Sequence, residues 1–217
     1  LGFTHNTPCA ATLHTVFRHV DRDAVEAKLG AWAEGVVVST PGAPSAGEAA
    51  VALDGKTLRG PRKQGAPGVH LLSALSHHLG LTLAQQAVDD KTNEITQVET
   101  VLRQLVLKDR VVTMDALLTQ RHVAQTIVDA GGDDVMTVKE NQPQLRADIE
   151  LVFALPPTGD RQETARMVDI GHGRIEQRNI TTSAALVGYS DWPGLAQVFE
   201  LGRHVITQKT GKERAEV

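Results

Sequence analysis

The chain has 217 residues, of which 41% are hydrophobic but only 3% aromatic, and its formal net charge is -4. That length allows one good core, or a core plus a small appendage, built from Val, Leu, Ile and Ala; the acidic balance excludes a generally basic nucleic-acid coat, so any nucleic-acid binding must be local. One cysteine, Cys9, excludes a disulfide framework and an intrachain thiolate zinc site, and no apolar run approaches transmembrane length. The nine histidines form no HExxH pattern, and no signal-peptide pattern opens the chain. The first residue is Leu1 rather than Met, which suggests a piece of a longer protein.

Residues 1–40 read as a small helical preface. Leu13, Val16, Phe17 and Val20 fall at helical spacing, and Asp21 or Asp23 can cap a second helix in which Val25, Leu29 and Trp32 share a face. The expectation is that this face covers one side of the main domain. The run Pro41 to Gly47 has the composition of a linker. From Gly47 the pattern changes to strands. Ala49 to Leu53 is an apolar strand that ends on Asp54, and Gly55 follows at once. Behind it stand four cations with no acid among them, Lys56, Arg59, Arg62 and Lys63, which suit a phosphate backbone. Asp54-Gly55 also has the composition of a hairpin turn, and the dipeptide alone favours that reading over a metal ligand.

Val69 to His77 and Leu81 to Val88 are two further strands, joined closely enough to imply antiparallel neighbours. Lys91 to Leu107 is a predicted helix with Ile95, Val98, Val101, Leu102 and Leu105 on one side. Arg110 to Met114 is a strand that ends on Asp115, and Gln120 to Ala130 is a helix closed by Gly131-Gly132. Val135 to Val138 is a strand, and Gln144 to Phe153 is a helix with Pro143 at its start. Lys139 and Asn141 lie between the two, where they can touch phosphate or cap the helix. After Glu163 the periodicity returns to strands: Ala165 to Ile170, Arg174 to Thr181, Val198 to Leu201, and His204 to Thr207 before a Thr210-Gly211-Lys212 turn.

Three antiparallel strands, then helix, strand, helix, strand and helix, is the element order of a ribonuclease H-like domain. The predicted class is therefore α/β: a mixed sheet flanked by helices, with a small N-terminal helical segment and a C-terminal β-rich insertion. In that layout the strand before Asp115 lies parallel to and beside the strand before Asp54, and the right-handed crossover rule lets the intervening helix cover one face. Two bare carboxylates one strand spacing apart, roughly 5 Å, repel unless a cation sits between them. Other motifs fail their own tests. Gly55-Lys56-Thr57 lacks the glycine of a phosphate loop, since Ala50 stands there, and Gly171-His172-Gly173 lacks the rest of a dinucleotide fingerprint.

The segments VALDGKTLRG, KTNEI, VVTMDALLTQRHVA, VMTVKENQPQL and GHGRIEQR, in that order, resemble the DDE transposases of bacterial insertion sequences, and the group that includes the H-repeat-associated transposase-like proteins most of all. The resemblance runs from about residue 10 to the end. It implies residues 1–40 as an associated helical segment, 41–155 as the catalytic core and 156–217 as a β-rich insertion truncated at its C-terminus. It implies Asp54 and Asp115 as the first two catalytic acids, two Mg²⁺ or Mn²⁺ ions, DNA (transposon ends and target) as partner, a homo-oligomer at full length, no membrane, and a bacterial cytoplasmic location.

In that reading Lys56, Arg59, Arg62, Lys63, Lys139 and Asn141 are the candidate DNA contacts. The third carboxylate is the open question. Glu176 is the tempting metal ligand, but alternation places it on a strand face between Arg174 and Arg178, where a structural ion pair accounts for it. The family's third acid sits on a helix after the insertion, in a motif with His-Trp before Ile-Glu-Asn, and no such motif occurs here. The expectation is a formed fold with two of three acids and little catalysis of its own. The alternatives are a non-catalytic DNA-binding or merely folded remnant, and a metal-dependent nuclease of the same fold.

Overall fold

The computed structural model describes residues 7–39, 49–58, 69–88 and 94–216. The elements in chain order are α1 (Ala10–His19), α2 (Arg22–Ser39), β1 (Ala50–Leu58), β2 (Val69–Ser76), β3 (Thr82–Val88), α3 (Glu94–Leu102), β4 (Val111–Met114), a 3-10 turn (Ala116–Leu118), α4 (Arg121–Asp129), β5 (Asp133–Met136), α5 (Pro143–Ala154), β6 (Glu163–Gly171), β7 (Arg174–Ser183), β8 (Val198–Thr207) and β9 (Lys212–Glu216). They fall into two compact units, residues 1–114 with 130–135, and residues 115–129 with 136–217.

The first unit is built on a five-stranded mixed sheet in the order β3-β2-β1-β4-β5. β1, β2 and β3 are antiparallel neighbours, and β4 joins β1 in parallel. This is the ribonuclease H-like arrangement. The alternation along the strands sends Val51, Leu53, Leu72, Ala74 and Val112 to one face, where all are buried. α3 covers that face with Val98, Val101 and Leu102, spaced as one helical stripe and each no more than 1% exposed. A fully buried Leu or Val of this kind contributes about 1.5 to 3 kcal/mol relative to exposure.

α3 ends five residues earlier than its apolar spacing predicts. Gln104 and Leu105 donate to Val101 and Leu102, which tightens the last turn. Leu105 and Leu107 are then both buried, and residues two apart cannot share one helical face. β1, conversely, does not stop at Asp54. Its ladder with β2 continues through Asp54↔Ser73 to Leu58↔Val69, so Asp54-Gly55 lies inside a strand and is not a hairpin turn. β5 begins two residues earlier than predicted, because Asp133 N–H donates to Arg110 C=O and sets the ladder ahead of the apolar run.

α2 packs on β3, but not with the predicted face. Val25, Leu29 and Trp32 are 38%, 56% and 59% exposed, while Ala33 is buried. A Cβ on Gly30 would stand 2.7 Å from the Leu83 carbonyl oxygen. The small residues let the two backbones approach, and that closeness selects the face. Glu34, on the same side, receives both guanidinium arms of Arg110 at 2.9 and 2.6 Å.

The second unit carries a four-stranded sheet, β6-β7-β8-β9, antiparallel throughout. β8 runs unbroken through Gly202 and Arg203, where the sequence suggested two strands, because it pairs with β7 along its full length. Ala124 of α4 and Leu145 and Val152 of α5 form a core with Leu186, Trp192 and Val198.

Candidate active site

The parallel register of β1 and β4 ends at the pair Leu53↔Met114, and the next residue along each strand is an aspartate. Both aspartates are exposed. The two strands reach them differently. Asp54 follows buried Leu53 and shares its face of β1 with Ala52 and Lys56, opposite Ser73 of β2. Lys56 is exposed as well. Arg59, Arg62 and Lys63 lie outside the described residues.

Asp115 caps the 3-10 turn. Its Oδ1 accepts from Leu117 N–H at 3.1 Å and from Leu118 N–H at 3.3 Å, so both backbone donors converge on one oxygen. The turn is held from behind by side chains. The buried Thr119 hydroxyl lies 2.8 Å from Thr137 C=O and 3.1 Å from Asp115 C=O. Gln142 donates its amide to Thr119 C=O at 2.9 Å. Asn141 donates its amide to the Ala116 carbonyl and, at 3.3 Å, to that of Thr119. Asn141 therefore does not cap α5, whose N-cap is Gln142 without a side-chain bond; it braces the Asp115 turn. Thr119 and Gln142 belong to the same brace and carry no signal in the sequence. Lys139 is exposed.

Glu176 lies on β7, and its side chain is 15% exposed. Arg203 of β8 reaches it with Nε at 2.7 Å and Nη2 at 3.0 Å, and Arg178 adds Nη2 at 2.6 Å. The Arg203 hydrogen bonds, with the charge of Arg178, hold its carboxyl below the usual glutamate range. The second cation comes from the neighbouring strand, not from Arg174. Among the described residues, no three His, Cys, Asp or Glu side chains group so as to hold a metal ion.

The family model described as "Transposase DDE domain" matches residues 45–200. The chain belongs to the DDE transposase family. Among similar proteins is "Uncharacterized protein in dhlA 3'region" of Xanthobacter autotrophicus, 35% identical over 90% of this chain and 66% of that one. "Putative transposase YncI" of Escherichia coli K12 is 31% identical over 81% of this chain and 70% of its own length. "H repeat-associated putative transposase YhhI" from the same strain is 35% identical over 59% of this chain and 35% of its own. The chain thus spans between 35% and 70% of the lengths of these relatives. No helix among its described residues is long and apolar enough to cross a membrane.

Proposed function

We propose that this chain is the catalytic core of a DNA transposase, with Asp54 and Asp115 as two of its metal-binding acids. The observation that carries the reading is the parallel β1–β4 register, whose last pair directly precedes Asp54 within β1 and Asp115 just after β4. Carboxylate oxygens are the donors that Mg²⁺ and Mn²⁺ take, and two exposed aspartates fit such ions. Asp54 and Asp115 would hold such ions, and the chemistry supplied there would be a lowered pKa for an attacking water or hydroxyl and stabilisation of the leaving oxygen of a phosphodiester.

The rest of the work belongs to the chain. The Thr119, Asn141 and Gln142 bonds fix the turn that Asp115 caps, and so fix the direction of its carboxylate. Lys56, Arg59, Arg62 and Lys63 would hold the DNA backbone by phosphate contacts, which position a strand without reading its sequence. DNA, as transposon ends and as target, is the proposed partner, and self-association is proposed for the longer protein. Glu176, held by Arg178 and Arg203, is assigned a structural part. That engagement also favours a second reading, a DNA-binding chain with two of the acids and little cleavage of its own.

Calorimetry with Mg²⁺ or Mn²⁺, beside nicking of plasmid DNA, tests both. Asp54→Asn and Asp115→Asn should each lower metal affinity roughly tenfold or more. Metal binding that neither substitution changes would defeat the proposed site. Metal and DNA binding without nicking would leave the second reading.

A further inference from the structure

α1 has ten residues and buries none of them. A helix that short is marginal in water on its own, so its stability has to come from something that covers its apolar side. That side is well formed. Leu13, Val16, Phe17 and Val20 recur at the spacing of one helical stripe, and all four are exposed, Phe17 to 74%. α2 carries a second stripe. Its buried residue is Ala33, which leaves Val25, Leu29 and Trp32 exposed. The stripes run from Leu13 to Val20 and from Val25 to Trp32, so each covers about 10 Å of helix. Both are open in the same copy, and nothing among the described residues covers either.

A scattered apolar side chain on a surface needs no explanation, but two matched stripes on consecutive helices do. Weighted by side-chain size, the two together expose roughly 700 Å² per copy, close to the about 800 Å² per partner of a standard specific interface. Charge gives the direction of packing. α1 holds His14, Arg18 and His19 and no acid. The start of α2 holds Asp21, Asp23 and Glu26 against one cation, Arg22, which already meets Asp23 at 3.5 Å. Laid antiparallel, the C-terminal end of one α1 brings Arg18 to the acidic start of an α2, and the two helix dipoles oppose. An anionic lipid surface also takes amphipathic helices, but those acids would be repelled by it.

We infer that two copies of this chain pair through these helices, α1 of each lying antiparallel along the Val25, Leu29 and Trp32 stripe of the other. Such a contact is isologous: it covers both stripes of both copies at once, and the assembly closes at two. The inference gives the self-association proposed above a surface within this chain. It rests on that point of the proposed function and on neither the metal nor the DNA.

Sedimentation equilibrium of the full chain over a wide concentration range should resolve a monomer–dimer equilibrium, with Trp32 emission moving to the blue as the dimer forms. Phe17→Glu and Leu29→Glu, one in each stripe, should each weaken pairing about 30-fold or more, the scale of an interface hot spot. Urea unfolding of the dilute monomer should not change in either variant, because both side chains are exposed in the single copy. Arg18→Glu and Glu26→Arg should each weaken self-pairing, and the two mixed should pair with one another in preference to themselves, since only the mixture sets opposite charges at both crossings. A wild type that stays monomeric, or one that grows past the dimer, overturns the proposal. So does a monomeric wild type that binds phosphatidylserine vesicles, which would give the helices to lipid. A dimer that tolerates Phe17→Glu and Leu29→Glu overturns this surface and leaves self-association to another. Mixing without preference overturns the antiparallel arrangement. Metal binding and nicking by the same chain report on the proposed function separately: their loss with the dimer intact leaves this surface in place.

Discussion

Asp134 shows what one residue does to the balance of the sheet. It stands on β5 beside Asp133, and burial, with the charge of Asp133 second, pushes its carboxyl up to about 6 from an ordinary 3.8. A raised carboxylate pKa means that the folded state holds a proton which the unfolded state has released. Its contribution is therefore fully present below pH 4 and is lost as pH rises through 6. Above that the ionised, half-buried group is a cost. Asp134→Asn should raise stability at pH 8 by about 1 to 2 kcal/mol, once screening at a partly exposed position is allowed for, and give no gain near pH 4. Urea unfolding of both proteins at the two pH values measures the difference, and an equal gain at both would show that ionisation is not the cause. Nothing in the local sequence marks Asp134, because the shift depends on burial that strand pairing creates.

The same division between local and non-local information runs through the elements. The antiparallel β1–β2–β3 order is legible because β2 and β3 are joined by a short turn and β1 has the same apolar character. Asp115 at the end of β4 is legible because a polar residue closes an apolar run. The alternation that sets Glu176 and Arg178 on one face of β7 is legible for the same reason, whereas Arg203 is not: it arrives from β8, 27 positions away. The brace behind Asp115 joins side chains to carbonyls 18 to 25 positions distant, and periodicity carries no trace of it. The packed face of α2 is hidden for another reason. Apolar spacing points to Val25, Leu29 and Trp32, but the contact is made where Gly30 permits close approach to Leu83. That contact is locked by Arg110 and Glu34, whose side chains are only 8% and 17% exposed. Removing one partner of such a pair leaves the other charge buried, at a cost of about 3 to 5 kcal/mol. Glu34→Ala and Arg110→Ala should each destabilise by that amount, while replacement of both by apolar residues of similar size should recover most of it. A double-mutant cycle by chemical unfolding decides this, and single losses under about 1 kcal/mol would mean that the pair does not hold α2 to the sheet.

At the scale of the whole chain, charge sets the terms on which DNA can bind. The net charge is -4, so the molecule as a whole repels a polyanion, and affinity has to come from a local concentration of cations. In the proposed reading Lys56, Arg59, Arg62 and Lys63 supply that concentration, four cations within eight residues and no acid between them. Lys56 shares its face of β1 with Asp54, which puts the first of the four on the same side as the proposed metal ligand. Each cation that meets a duplex phosphate releases about 0.9 of a counterion, so the slope of log K against log salt counts them. Replacing all four by alanine should flatten that slope by about 3 to 4, and should weaken binding to unrelated duplexes by about the same factor, because phosphate contacts carry no sequence information. Replacing Lys139 and the cations of β7 and β8 instead should leave most of the slope in place. An unchanged slope in the fourfold variant would remove this segment from the DNA path. A slope flattened on one duplex and not on another would mean that the four cations read bases, since backbone contacts cannot distinguish sequences of the same form.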